Sequence, residues 1–176
     1  MVSGGTTVAK AVTTGFNPGG HQTHTLGTSG TGEWLSVHAV TFSGQASTAL
    51  YADLAENYKA DAEYEPGTVL IFGGEQEVTT TQLKDDTRVA GVVSEKPGYL
   101  MNKGLEGENV VALALQGRVP VKVVGIVKKG DLLVAASTKG YAITNNQAGV
   151  GTVIGKAIST KDDAGKGVVE AVVGRV

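Results

Sequence analysis

The sequence predicts a mainly β fold, in which an extended N-terminal stem precedes a small pseudo-duplicated β-barrel or sandwich. Residues 65–176 alternate short apolar runs with turns that contain Gly, Pro or Asn. Twenty of the 25 Val residues lie in residues 51–176, and Val favours strands over helices. Charge separates the stem from the barrel, because only Lys10 and Glu33 are charged in residues 1–50.

Nine strands are predicted in the β-domain, residues 65–176. Each is a short run rich in apolar and β-branched residues, and turn residues bound it. Nine such strands are enough to enclose a core. The predicted strands span residues 68–72, 77–80, 88–94, 109–115, 118–124, 131–136, 141–144, 152–158 and 167–173.

Residues 1–50 form the predicted stem or attachment segment. They contain 15 Ser or Thr and 9 Gly, with too little apolar surface to fold alone. Disorder usually accompanies high net charge, which is absent here. We therefore favour a segment that orders by oligomerisation over a free linker. Residues 34–42 have the composition of a strand.

Residues 51–64 form a connecting motif whose secondary structure is ambiguous. Leu50, Leu54 and Tyr58 recur every four residues, as on a helix. Every second residue from Ala52 to Tyr58 also fits one face of a strand. The strand-like flanks favour the extended alternative.

Three segments recur in the same order, which predicts an internal repeat of residues 66–119 and 129–176. We expect two β-meanders that pack about a pseudo-twofold axis into one barrel, with the repeated glycines at turns or bulges. Arg118 and Arg175 would then be equivalent. The matching segments are 66–71 with 129–134, 89–93 with 153–157, and 110–119 with 168–176.

Composition argues against several classes of function. Without Cys, the chain has no disulfide and no thiolate metal site. A net charge of −2 and nine aromatic residues predict no nucleic-acid partner. No apolar run approaches the roughly 20 residues that span a bilayer, so no membrane insertion is expected. No phosphate-binding glycine motif is present, and no cofactor is expected.

His21 and His24 are the candidate metal ligands. Zinc and similar ions need three or four ligands with a supporting shell, and only His38 could add another imidazole. In a trimer, one His from each chain would form a ring of ligands on the axis. Surface histidine is the preferred interpretation, and no metal is assigned.

Ser47, Asp53 and Glu56 are the candidate catalytic residues. The two carboxylates would be neighbours on a helix but would lie on opposite faces of a strand. Paired carboxylates perform acid–base chemistry where burial raises one pKa. Thr48 is a second nucleophile nearby. Surface charge is the preferred interpretation of the pair, so no enzyme activity is assigned.

Long, ordered motifs run through residues 26–176. They include Leu-Gly-Thr-Ser at 26–29, Trp-Leu-Ser-Val-His-Ala at 34–39, Phe-Ser-Gly-Gln-Ala at 42–46, Tyr-Ala-Asp-Leu-Ala-Glu-Asn-Tyr at 51–58, Tyr-Glu-Pro-Gly-Thr-Val at 64–69 and a Val-Ala-Gly-Val-Val-Ser segment at 89–94. In this order they resemble the motifs of fibre and appendage proteins of tailed bacteriophages.

The resemblance implies a structural or adhesive virion protein, made in the host cytoplasm and assembled into the phage particle as a fibre, appendage or decoration component. It implies a homotrimer with an intertwined, trimerising stem, and other virion proteins as partners. Loops such as 95–108 or 159–167 would bind a host-surface glycan or protein. A capsid or baseplate adaptor is a further alternative, in which the β-domain only docks on another virion protein.

The connecting motif also resembles the autocleaving chaperone domain of phage neck appendages. In that family a Ser stands three positions before the Asp that matches Asp53, whereas Leu50 stands there in this chain. Self-cleavage would need Ser47 or Thr48 instead, assisted by Asp53 or Glu56. A self-cleaving maturation domain is therefore the alternative to a structural protein.

Overall fold

The computed structural model describes residues 2–3, 6–7 and 52–174. The chain divides into two compact units, Met1–Gln45 and Ala46–Val176. In the first unit, β1 (Val2–Ser3) pairs antiparallel with β2 (Thr6–Thr7). The rest of the predicted stem, including its strand at residues 34–42, lies outside the described residues.

Ten strands, β3 to β12, form one sheet in the second unit. The described residues contain no helix, so the predicted mainly β class with a small barrel is confirmed. The strands are β3 (Asp53–Lys59), β4 (Val69–Phe72), β5 (Val78–Thr79), β6 (Val89–Val93), β7 (Tyr99–Met101), β8 (Val110–Val124), β9 (Leu132–Ala135), β10 (Ala142–Thr144), β11 (Val153–Ala157) and β12 (Lys166–Val173).

The second half of β8 begins a closed five-stranded barrel, which we call the second ring. Strand β8 pairs with β12, β12 with β11, β11 with β9 and β9 with β10, all antiparallel. A parallel pairing of Ala142 in β10 with Val123 in β8 closes the ring. Its core contains the fully buried Val121 and Leu133.

The first half of β8 ends an equivalent first ring. Strand β3 pairs with β8, β8 with β6, β6 with β4 and β4 with β5, again all antiparallel. A parallel bridge between Ala60 and Val78 then connects β5 to the end of β3. The buried Leu70 and Leu113 lie in its core. Each repeat therefore forms its own ring about the shared β8, rather than half of one barrel.

Backbone hydrogen bonds repeat with the strands. The N–H groups of Gly67 and Gly130 donate to the carbonyls of Val93 and Ala157, each at 2.8 Å. The register between β4 and β6 shifts beside the pair Leu70–Gly91. The register between β9 and β11 shifts beside the equivalent pair, Leu133–Gly155. Turns and bulges thus match between the rings as well as the strand order.

Gly117 explains why two predicted strands, 109–115 and 118–124, are one strand of 15 residues. Its φ of 116° places it in the region that favours glycine, and a Cβ there would lie 2.2 Å from the carbonyl oxygen of Ala52. Because the chain bends without turning, β8 runs from one ring into the other. Strand β8 also has an extra residue, Leu115, at the register shift with β3.

Two further differences from the sequence prediction concern β3 and β7. The connecting motif is extended, as favoured, and its strand β3 is the first strand of the first ring. Strand β7 was not predicted. Its three residues, between a Pro-Gly turn and Asn102, are too few to show the alternation of apolar and polar residues that identifies a strand. It pairs only with β3, in parallel.

Candidate functional site

Strand β3 separates the two carboxylates that sequence analysis paired. Asp53 and Glu56 are three residues apart, so they lie about 10 Å apart along the strand and on opposite faces. Asp53 shares its buried face with Ala55. The two groups therefore do not act on one reacting atom together.

Glu56 accepts a hydrogen bond from the hydroxyl of Tyr58 at 2.9 Å. Burial, followed by this bond to Glu56, raises the pKa of Tyr58 to about 12. The Tyr58 ring also packs edge-on against Phe72, with centroids 5.7 Å apart. Glu56 thus orients an aromatic side chain of the first ring.

Asp53 is the less readily explained carboxylate. Its side chain is buried, and Oδ2 has no hydrogen-bond partner among the described residues. Its backbone carbonyl accepts from the N–H of Gly98 at 2.9 Å, which ties β3 to the turn before β7. Burying a carboxylate oxygen without a hydrogen bond costs free energy, which makes Asp53 a position to test by substitution.

Several candidate residues lie outside the described part of the chain. These are the candidate nucleophiles Ser47 and Thr48, the position of Leu50, the histidines His21, His24 and His38, and Arg175. Their proposed roles stay predictions. Within residues 52–174, no three His, Asp or Glu side chains are grouped closely enough to hold a metal ion. The described residues also contain no helix that could span a membrane.

Lys161 organises the loop at residues 159–167 through hydrogen bonds of its side chain. Its ammonium donates to the carbonyls of Gly125, Asp163 and Gly165 and to the Asp163 carboxylate, at 2.6 to 3.2 Å. This contact lowers the pKa of the Asp163 carboxyl. The buried lysine thereby fixes the 159–167 loop, one of the two loops expected to bind a receptor.

A polar seam joins the two rings. The backbone N–H of Lys122 donates to the Gly67 carbonyl at 2.9 Å, and its ammonium contacts Glu65 at 2.8 Å and the Thr68 hydroxyl at 3.1 Å. The hydrogen bond from Lys122 lowers the pKa of the Glu65 carboxyl. The seam borders a groove of about 320 Å³ that Tyr64 and Tyr141 also line.

An acidic groove of about 520 Å³ crosses the first ring. Glu63, Glu95 and Glu108 line its rim, while Val93 and Val110 line its floor. A smaller groove of about 280 Å³ adjoins it through Glu108 and adds two further carboxylates, those of Asp61 and Glu75. The combination of apolar floor and acidic rim suits a cationic, partly apolar surface.

The outer face of the second ring has the opposite character. Cross-strand register places Arg118, Val172 and Lys156 in one row across β8, β12 and β11. Val168 continues the face along β12, with Glu170 between the two valines. Exposed valines flanked by cations therefore lie on a regular sheet surface.

The rings differ in charge as a whole. Residues 52–117 carry twelve acidic and five basic side chains, a net charge of −7, whereas residues 118–174 carry four acidic and eight basic side chains, a net charge of +4. The overall net charge of −2 conceals this difference. The predicted repeats, 66–119 and 129–176, show only part of it, with net charges of −2 and +2, because five carboxylates of the first ring lie in residues 53–65.

Comparisons with known proteins give one distant similarity to report. No protein-family model matches the sequence, and no curated protein matches it. Among solved structures, the chain is similar to the head fibre gp8.5 N base of bacteriophage phi29, with 13% identity and a TM-score of 0.42. The similarity covers 69% of this chain and 93% of that chain. At this level it assigns neither a family nor a function.

Proposed function

We propose that the chain is a structural or adhesive component of a bacteriophage virion, and that it assembles as a homotrimer. The observation that carries the proposal is the position of the phage-like motifs in the fold. The motif at 51–58 covers β3 except for its last residue, the motif at 64–69 leads into β4, and the motif at 89–94 contains β6. The resemblance thus falls on the residues that build the first ring.

The chemistry of the described residues supports a structural function over a catalytic one. Asp53 and Glu56 lie on opposite faces of β3, and Glu56 is hydrogen-bonded to Tyr58. The grooves are open and lined by carboxylates rather than by a nucleophile with its base. Such surfaces suit contact with other proteins.

The molar mass of the intact chain in solution tests the proposal. Light scattering or native mass spectrometry at micromolar concentration should give three times the chain mass of 17.9 kDa. Dilution should return monomer only at much lower concentration. A clean monomer at micromolar concentration would contradict the proposal.

Receptor binding is the adhesive part of the proposal. The loop at 159–167 supports it, because Lys161 holds that loop in one conformation and so lowers the entropic cost of binding. A host-surface glycan or protein would be the ligand. This role is supported if the intact protein binds host cells and loses that binding when loop residues 162–164 are replaced by Gly-Ser-Gly. Unchanged binding would show that the receptor site does not lie in this loop.

Self-cleavage is the alternative that one specific observation favours. The Asp53 carboxylate is buried, and its Oδ2 has no hydrogen-bond partner within residues 52–174. Asp53 is also close in sequence to Ser47 and Thr48. Intact mass spectrometry after prolonged incubation distinguishes the two functions. Persistence of the full-length 176-residue species supports the structural protein. A break near Ser47, lost in Asp53→Ala but retained in the matched control Asp85→Ala, would support the maturation domain.

An adaptor of the capsid or baseplate is the remaining structural alternative. The acidic groove and the cationic outer face would then dock on another virion protein. Locating the chain in assembled particles by labelled antibody and electron microscopy separates a distal tip from an internal adaptor.

A further inference from the structure

The outer face of the second ring exposes valines at positions that are more buried in the first ring. Val168 and Val172 are 59% and 42% exposed. The shared strand pairing and the matched bulges make Val110 and Ala114 their counterparts in the first ring. Ala114 is completely buried and Val110 is half-buried. The same sheet position is thus internal in one repeat and open in the other.

Exposed cations flank one of the two valines, Val172. Arg118 and Lys156 flank Val172 on the neighbouring strands, and both side chains are exposed. Glu170 is the only carboxylate in the outward row of β12. A surface that mixes aliphatic groups with uncompensated cations fits a partner with apolar area and an acidic rim.

The acidic groove of the first ring has these properties. Its floor contains Val93 and Val110, and its rim contains Glu63, Glu95 and Glu108. Among the described residues, Glu95 is the one rim carboxylate in an ion pair, at 3.9 Å from the Lys96 ammonium and in solvent. Glu63 also lines the neighbouring groove that contains Lys122 and Lys139. The chain therefore carries both halves of a complementary pair of surfaces.

We propose that the acidic groove of one copy packs on the outer face of the second ring of the next copy. The inference rests on the proposed homotrimer and specifies its interface. A twofold dimer would pair the same two surfaces twice, whereas in the proposed trimer they meet head-to-tail, and the contact closes into a ring when successive copies are related by a threefold rotation.

Charge selects a second copy of the chain as the partner. Contact between two first rings would bring together net charges of −7, and contact between two second rings would bring together charges of +4. Like charges placed opposite each other weaken association, whereas the unlike rings attract. A closed head-to-tail trimer of identical chains pairs every acidic groove with the cationic outer face of a neighbouring copy.

Charge-reversal variants of the full chain test the interface. Lys156→Glu and Glu63→Lys each place like charges across it, so each should raise the dissociation constant of the oligomer about tenfold or more at low salt. The double variant Glu63→Lys/Lys156→Glu restores an opposite-charge pair and should recover most of the association. Lys129→Glu and Glu106→Lys make the same charge changes at exposed positions outside both surfaces. Each control variant should therefore form an oligomer of the same size as the wild type.

The outcomes separate this inference from the proposed function. Thermal unfolding of each variant verifies that it folds, as these exposed positions permit. If the wild type is trimeric and the single variants associate equally well, or the double variant recovers nothing, the interface is overturned and the trimer stands. A monomeric wild type contradicts the proposed trimer itself and overturns the interface with it.

Discussion

The two rings have the same strand pairing and opposite charge. In each, four antiparallel pairings and one parallel contact connect five strands. The first ring carries a net charge of −7 and buries the outward side of its last strand, while the second carries +4 and exposes it. The two rings share their core leucines, their glycines at close strand contacts and their turn hydrogen bonds, so these features determine the strand arrangement. The rings differ in the charge and exposure of their surface residues.

The shared strand β8 gives this comparison an energetic consequence. Its 15 residues supply the last strand of one ring and the first strand of the other. Neither ring can lose β8 without exposing its own core and that of its neighbour. We therefore expect the rings to unfold together, and equivalent substitutions to cost similar free energy in both.

The largest effect is expected from the core leucines. Leu70 and Leu133 are completely buried at equivalent positions, so Leu70→Ala and Leu133→Ala should each lower the free energy of unfolding by about 2–5 kcal/mol. Leu83→Ala is the control, because that side chain is 59% exposed. Denaturant unfolding, followed by circular dichroism of the backbone, measures the loss of free energy. Two separate unfolding transitions would contradict the coupling of the rings through β8.

A smaller effect is expected from the glycines at close strand contacts. A Cβ at Gly91 would lie 2.5 Å from the Ala114 carbonyl oxygen, and one at Gly155 would lie 2.2 Å from that of Val172. Backbone must move to admit either methyl group, so both alanine variants should lose about 1–3 kcal/mol. Gly104→Ala and Gly149→Ala are the controls, since a Cβ at either meets nothing within 4 Å. Equal unfolding midpoints for all four variants would show that the contacts do not constrain the rings.

An effect of similar size to that of the glycines concerns acid stability. Hydrogen bonds from the Arg88 guanidinium, and then from the Thr81 hydroxyl and the Arg88 backbone N–H, hold the pKa of the Asp86 carboxyl well below its usual range. Because the folded pKa lies below the unfolded value of about 3.9, Asp86 stabilises the fold above that pH. This contribution is lost as pH falls towards the folded pKa.

Asp86→Asn tests this dependence in comparison with Asp131, a carboxylate of the second ring at a different position in the repeat. The variant should lose about 1–3 kcal/mol at pH 7 and should respond less than the wild type to acidification below pH 4. Asp131, whose pKa is lowered chiefly by the hydrogen bond from Asn146, is less buried, so Asp131→Asn should show a weaker change. Thermal unfolding between pH 7 and pH 2.5 measures both; identical pH profiles for Asp86→Asn and the wild type would refute the assignment.

Much of the fold could be predicted from sequence, because strands of this chain are apolar runs punctuated by Gly, Pro and Asn. Eight of the observed strands correspond to predicted runs, and the repeat is visible as ordered matches. The continuity of β8 could not be predicted, since Gly117 reads equally as a turn or as a bulge. The ring closures depend on single parallel contacts, which leave no periodic signal.

The candidate site was less predictable than the fold. Asp53 and Glu56 attract attention in sequence, but the strand separates them and leaves Glu56 bonded to Tyr58. The opposed surfaces depend on cross-strand neighbours such as Lys156 and Val172, which are 16 residues apart in the chain. Only register brings such residues together.

Zero-length carboxyl–amine cross-linking tests the central claim most directly. The intact protein is mixed as equal amounts of ¹⁴N and ¹⁵N chains, cross-linked and mapped by mass spectrometry. We predict mixed-isotope links that join Glu63 or Glu108 of one copy to Lys156 of another. Mixed-isotope links only between like rings, or links only within single chains, would contradict the account.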